Sequence, residues 1–133
     1  MNKQTLSVDA SYSSKNKIME YRGVWTDTGE VYFHEIFSFG TSNLGEFLAI
    51  VHGLAQMKKD GIQKDIYTDS NTAIAWVRNK RINTIMPYSR ETKSLWEIIE
   101  RAQLWLHNND YDNSIVKWKT KEWGEIVADF GRK

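Results

Sequence analysis

The sequence contains no cysteine. That excludes a disulfide scaffold, a thiolate zinc site and a cysteine nucleophile. It suits a reducing compartment, and the cytoplasm is the expected location. Pro87 is the only proline, and no linker, low-complexity stretch or internal repeat interrupts the chain. No run approaches the roughly 18 apolar residues of a membrane span. The opening MNKQTLSVDA lacks the apolar stretch of a secretion signal, so no membrane partner is expected. Net charge is scarce as well. Eighteen Lys+Arg against 17 Asp+Glu leave +1, which implies neither a strongly basic nucleic-acid glove nor an acidic tail.

What is present is the ordinary composition of a globular protein. The 133 residues are 41% hydrophobic and 26% charged, enough for one domain over 1–133 with a core of its own. Nothing requires more than a monomer. Residues 4–10 alternate, with Leu6 and Val8 on one face, and predict a strand ending near Asp9. Segments 17–25 and 31–39 are β-branched and aromatic and flank the turn TDTGE, which extends the pattern to an antiparallel meander. GTSN breaks it. Phe47, Ile50, Val51, Leu54 and Met57 then predict a helix over 46–58. A short strand at 65–68, a helix at 70–80, a helix at 94–106, a strand at 115–119 and a terminal helix over 125–133 complete the chain. Strands separated by helices need parallel crossovers. The expected fold is therefore α/β: a mixed five-stranded sheet, three antiparallel strands and then parallel ones, flanked by helices.

In this arrangement Asp9 closes the first strand, Glu46 opens the first helix, Asp69 closes the fourth strand and Asp129 sits in the terminal helix. Ends of neighbouring elements lie together, so these acids can converge on one point. Converging carboxylates repel unless a cation sits between them, and a set without His or Cys points to Mg²⁺ or Mn²⁺ rather than zinc. Each acid also has an ordinary reading. Asn43 to Glu46 has capping-box spacing, Asp69 or Ser70 can cap the next helix, Asp9 can serve a turn, and Asp129 can be a solvated helix acid. Composition and spacing leave both readings open.

The local sequences go further. SVDAS at 7–11, GTSNLGEFLAIVHGL at 40–54, IYTDSNTAIAWV at 66–77 and VKWKTKEWGEIVADFGRK at 116–133 together resemble the type 1 ribonucleases H, in the same order and over essentially the whole chain. In particular they resemble a bacterial subgroup that ends in a WGEI-x-ADYGRK-like segment. The resemblance implies the ribonuclease H-like fold. It also implies an endonuclease that hydrolyses the RNA strand of RNA/DNA hybrids with two Mg²⁺ ions, for which Mn²⁺ substitutes, leaving 5′-phosphate and 3′-hydroxyl ends. By the same resemblance Asp9 bridges the two ions, Asp129 serves the ion on the side of the attacking water, and Glu46 and Asp69 serve the leaving-group side. Many relatives place a histidine on a loop before the last acid. The subgroup has glutamate there, and Glu125 is the matching position. Glu125 and Asp129 are four apart, so in a helix they share a face. His34, His52 and His107 lie outside that segment and are expected on the surface or in packing.

For the substrate, the resemblance counts Ser11 among the substrate-binding residues and gives Glu46 a second task at a 2′-hydroxyl. It puts Asn71 at a minor-groove amide position and Ser42 where many relatives have Asn. Thr41 and Asn43 match positions at a DNA-strand phosphate, with Thr84 a further candidate there. Trp76 matches an aromatic that lines the DNA channel, and Thr120 a backbone-phosphate contact. The alternatives are a catalytically silent hybrid-binding module of the same fold and a DNA-cutting relative. Two departures bear on affinity. The strand predicted at residue 4 leaves no room for an N-terminal hybrid-binding domain. The stretch RNKRINTIMPYSRE holds only Arg78, Lys80 and Arg81 where some relatives carry a large basic protrusion. Hybrid binding is therefore expected to be weak and strongly salt-sensitive. Titration of a labelled hybrid at several salt concentrations checks this, and a sub-nanomolar affinity at physiological salt would contradict it.

Overall fold

A computed structural model describes residues 1–131. The element order is β1 (Thr5–Ser13), β2 (Ile18–Trp25), β3 (Val31–Ser38), α1 (Ser42–Asp60), β4 (Asp65–Thr68), α2 (Asn71–Asn79), α3 (Lys93–Asn108), β5 (Ile115–Lys117) and α4 (Thr120–Trp123). The strands form one five-stranded sheet in the order β3-β2-β1-β4-β5. β1, β2 and β3 pair antiparallel, whereas β4 runs parallel to β1 and β5 parallel to β4. This is the mixed sheet that the alternation of strands and helices predicts.

Alternation along β1 and β2 sends Leu6, Val8, Met19 and Tyr21 to one side of the sheet, where all are buried. α1 lies across this face and carries Leu44, Phe47, Ile50, Leu54 and Met57 into the same core. It also packs against α2 and α3, so its burial extends well round the helix. The opposite face is covered near its β4–β5 edge by the C-terminal segment, through a smaller cluster of Tyr67, Trp118 and Ile126 with Trp123 against it. Among the described residues no helix is long and apolar enough to cross a membrane.

Three differences from the sequence reading bear on the site, beside smaller ones such as β5 ending at Lys117. β1 runs on to Ser13, because β2 continues to pair with it as far as Ile18. Asp9 is therefore in mid-strand. α1 starts at Ser42, not Glu46. Thr41 is its N-cap, and the Thr41 hydroxyl accepts from the Leu44 N–H at 3.1 Å. The break read across GTSN falls at residues 39–41, with Phe39 at φ 68° and Gly40 at φ 113°. Glu46 thus sits one turn inside the helix, and Asn43 does not cap it. The third correction concerns the terminal helix over 125–133. The helical turn lies earlier, at Thr120–Trp123, and ends at Gly124 with φ 77°. Residues 124–131 are irregular, and the last two residues of the expected helix lie outside the described ones. Tertiary docking overrides the helical pattern here. Ile126 and Ala128 are buried while Val127 between them is exposed, an alternation that an extended or turned segment provides and a helix does not.

Gly45 and Gly53 set how closely α1 approaches the sheet. A Cβ on Gly45 would stand 2.7 Å from Ala10 Cβ, and one on Gly53 2.9 Å from Leu6 Cδ2. Ala10 Cβ cannot withdraw, since it is fixed to the backbone of β1, which lies between β2 and β4 in the sheet. Gly45→Val is expected to cost about 1–3 kcal/mol of stability through overpacking. An unchanged urea midpoint for that variant would refute the close approach.

Candidate active site

The parallel register of β1 and β4 brings the first two acids together. Ser7 pairs with Tyr67, and the ladder stops there. Asp9 and Asp69 each lie two residues farther on, so they occupy equivalent positions where the strands part. Glu46 enters from α1, in the adjoining layer. Its Oε1 accepts from the Ala10 N–H at 3.1 Å and its Oε2 from the Thr68 hydroxyl at 3.4 Å, which ties it to both strands. One carboxylate oxygen each from Asp9, Glu46 and Asp69 lies within 4.8 Å of the others. Asp9 and Glu46 are only 7% and 5% exposed. Asp69 is half-buried, and Lys117 of β5 donates to its backbone carbonyl.

Asp129 reaches the same place from the C-terminal segment. It lines a cleft of about 340 Å³ together with Asp9, Ser11, Ser42, Glu46, Asp69 and Phe130. Its Oδ2 accepts from the Gly131 N–H at 3.0 Å, which closes a tight turn. Arg22, opposite Asp9 on β2, donates from Nε to the Ala128 carbonyl at 2.8 Å and from Nη2 to the Asp129 carbonyl at 2.7 Å.

Burial and crowding act in one direction on these acids. Desolvation, with Asp69 and Asp129 nearby, pushes the Asp9 carboxyl from its ordinary 3.8 up to about 6. Desolvation raises Glu46 well above the usual carboxylate range, and the hydrogen bond and charge of Asp9 add to the rise. The donor set is all oxygen, compact and partly desolvated. It fits a hard divalent cation, whose charge would favour the ionised carboxylates that this environment otherwise disfavours. A second hollow, about 330 Å³, lies between α1 and α3 against Leu48, Val51, Ile98 and Trp105. It has no acid in its walls and does not suit a cation.

The other sequence-predicted positions divide. Ser11 and Ser42 line the cleft with the acids. Thr41 is the N-cap of α1, Asn43 is exposed on its first turn, and Asn71 is the exposed first residue of α2, two residues after Asp69. Trp76 is half-buried with its ring edge-on to Phe47, 6.2 Å between centroids, so much of it is packing. Thr84 accepts from the Met86 N–H within its own loop, and Thr120 is exposed at the start of α4. Glu125 is exposed and does not line the cleft. Glu125 and Asp129 do not share a helical face, contrary to expectation, because residues 124–129 form no helix. His34 stands 2.8 Å from Glu20, and His52 is hydrogen-bonded to Tyr21 Oη and stacked on Phe33. Arg22, Thr68 and Phe130 escaped the sequence reading. Arg22 stands out only as a charge within an apolar strand run, a signal too common to select it.

No protein-family model matches the chain. Among solved structures it is similar to a ribonuclease H1, LC11, isolated from compost by a metagenomic approach, with TM-score 0.56 and 15% identity over 92% of this chain and 88% of that one. The ribonuclease H-like fold is thereby established for this chain. An N-terminal ribonuclease H domain of Mycobacterium tuberculosis superimposes with TM-score 0.45 and 16% identity, over 86% of this chain and 80% of that one. A foamy viral protease–reverse transcriptase in complex with RNA/DNA hybrid gives TM-score 0.41 and 15% identity, over 94% of this chain and 18% of that one.

The raised carboxyls set a pH dependence for the metal-free protein. A group whose folded pKa exceeds its unfolded one contributes stability below the unfolded value and loses it as pH rises through the folded value. For Asp9 that window runs from 3.8 to about 6, and Glu46 acts in the same sense. Asp9→Asn is therefore expected to stabilise the metal-free protein near neutral pH by about 1–3 kcal/mol. The gain should vanish near pH 4. Thermal melts in chelator at both pH values check this, and equal or lower melting of the variant at neutral pH would contradict it.

Proposed function

We propose that residues 1–133 form a single catalytic domain of the type 1 ribonuclease H kind, with the glutamate-bearing bacterial C-terminus. The domain hydrolyses the RNA strand of RNA/DNA hybrids and leaves 5′-phosphate and 3′-hydroxyl ends. The observation that carries this reading is the convergence of Asp9, Glu46 and Asp69 within 4.8 Å, with Asp129 in the same cleft, on this fold. When bound, two divalent cations, Mg²⁺ or Mn²⁺, would supply an activated water on one side of the phosphate and charge stabilisation of the leaving oxygen on the other.

The chain's own residues do the rest. Asp9 feels the charges of both Asp69 and Asp129 and would be the acid shared by the two cations. Glu46 is held by Ala10 and Thr68; when the cation keeps it ionised, it can accept from a 2′-hydroxyl, the group that distinguishes RNA from DNA. Ser11 and Ser42 form walls for the sugar–phosphate chain. Thr41 and Asn43 lie at the N-terminus of α1, and Asn71 at that of α2. The free N–H groups and positive dipole ends of both helices favour phosphate there. Trp76 and Thr84 are assigned to the DNA strand, and Thr120 to a backbone phosphate. Glu125 is assigned a catalytic part from the C-terminal segment, independent of any helical alignment.

The test is incubation with Mg²⁺ and labelled RNA/DNA hybrid, double-stranded RNA and double-stranded DNA, beside Asp9→Asn. Cleavage of the hybrid's RNA strand alone is expected. The substitution should lower it about 1,000-fold or more, because several kcal/mol of charge stabilisation depend on the acid. Hybrid binding without cleavage would mark a catalytically silent module, and cutting of DNA would overturn the substrate class.

A further inference from the structure

Asp129 differs from the other three acids in how it is held. Asp9 and Glu46 belong to β1 and α1, and Asp69 follows directly on β4. Asp129 lies in an irregular segment after a four-residue helical turn. An acid placed by such a segment needs something else to fix it, since metal affinity depends on ligands held in place by their surroundings.

Arg22 supplies that anchor. Its Nε and Nη2 donate to the consecutive carbonyls of Ala128 and Asp129 at 2.8 and 2.7 Å. The planar guanidinium presents two donors in a fixed fork and so sets the direction of the peptide as well as its distance; a lysine ammonium has no such fork. The guanidinium also lies over the Phe130 ring, 4.8 Å from its centroid, and the His34 ring is 5.9 Å from Phe130. Arg22 is itself fixed by its place in β2, directly opposite Asp9. One side chain thus links the strand beside Asp9 to the backbone that carries Asp129.

We propose that Arg22 is a positioning residue that sets the place of Asp129 in the cation site, with Phe130 as its second hold on the segment. This inference rests on the metal-centred reading above. Arg22 touches no reacting atom in this role and acts through the Asp129 backbone.

The test compares Mn²⁺ affinity, by titration calorimetry, in the parent, Arg22→Ala, Arg22→Lys, Asp129→Asn and the Arg22→Ala/Asp129→Asn double variant. Arg22→Ala is expected to weaken Mn²⁺ binding about 10-fold, with Arg22→Lys in between because it keeps one donor. In the Asp129→Asn background the same change should add less than about 2-fold, since its effect passes through Asp129. Amide exchange should quicken over residues 126–131 in Arg22→Ala while β1 and β2 keep their protection. Hybrid cleavage by Arg22→Ala should need more Mg²⁺ and recover in part at high Mg²⁺. Parental Mn²⁺ affinity in Arg22→Ala, or a full additive loss in the double variant, would overturn the proposal. If Arg22→Ala fails to fold, Arg22→Lys and the parent decide it by the same affinity comparison. A parent that binds Mn²⁺ but leaves the hybrid intact would defeat the nuclease reading alone, and the affinity cycle would still judge Arg22.

Discussion

Repulsion among carboxylates at the parting of β1 and β4 governs the rest of this structure. Asp9 and Glu46 are nearly buried, Asp69 lies within 4.8 Å, and Asp129 enters the same cleft. Burial disfavours each charge, and each charge disfavours the others. Without a cation this arrangement weakens the fold at neutral pH. Its persistence at the centre of the sheet is what gives the functional reading its force. The net charge of +1 takes on another sense in this light. It is the sum of a local concentration of acids and of basic residues elsewhere on the chain, such as Arg78, Lys80 and Arg81.

The acids are brought together by different devices. Asp9 and Asp69 depend on a strand register, Glu46 on a helix that lies unusually close to the sheet, and Asp129 on two carbonyl hydrogen bonds to Arg22. Gly45 links the first two devices, because its missing side chain lets α1 settle against Ala10, whose N–H then holds Glu46. Packing and chemistry are therefore coupled at a single residue pair. Movement of the helix away from β1 by the width of a methyl group would take Glu46 out of reach of its hydrogen-bond donor.

Much of the fold was legible in the sequence because its signals are local. Leu6 and Val8 alternate, Leu95, Ile99, Ala102 and Leu106 recur at helical spacing, and both patterns match the elements that formed. The start of α1 was misplaced because a cap is a geometric event. Thr41 and Asn43 both belong to the residue types that cap helices, and the backbone turn at Phe39 and Gly40 puts Thr41 at the cap. The C-terminal segment was misread for a different reason. Its residues permit a helix, but Ile126 packs on Tyr67 and Trp118, Ala128 is buried, and Arg22 binds the carbonyls of Ala128 and Asp129. The same docking separates Glu125 from the helical alignment expected for it.

By itself the sequence determined the five strands and the first three helices, their order, the mixed character of the sheet and the acids able to meet. All of these follow from periodicity and side-chain type within a few residues of one another. Tertiary structure alone decided how far β1 runs past Asp9, which residue caps α1, and how Asp129 reaches the cleft without a helix. It also decided that Arg22 holds Asp129 from 107 positions away. Those outcomes depend on distances through space between segments remote along the chain. No pattern of neighbouring residues encodes such a distance, because it exists only once the sheet, the helices and the C-terminal segment have packed together.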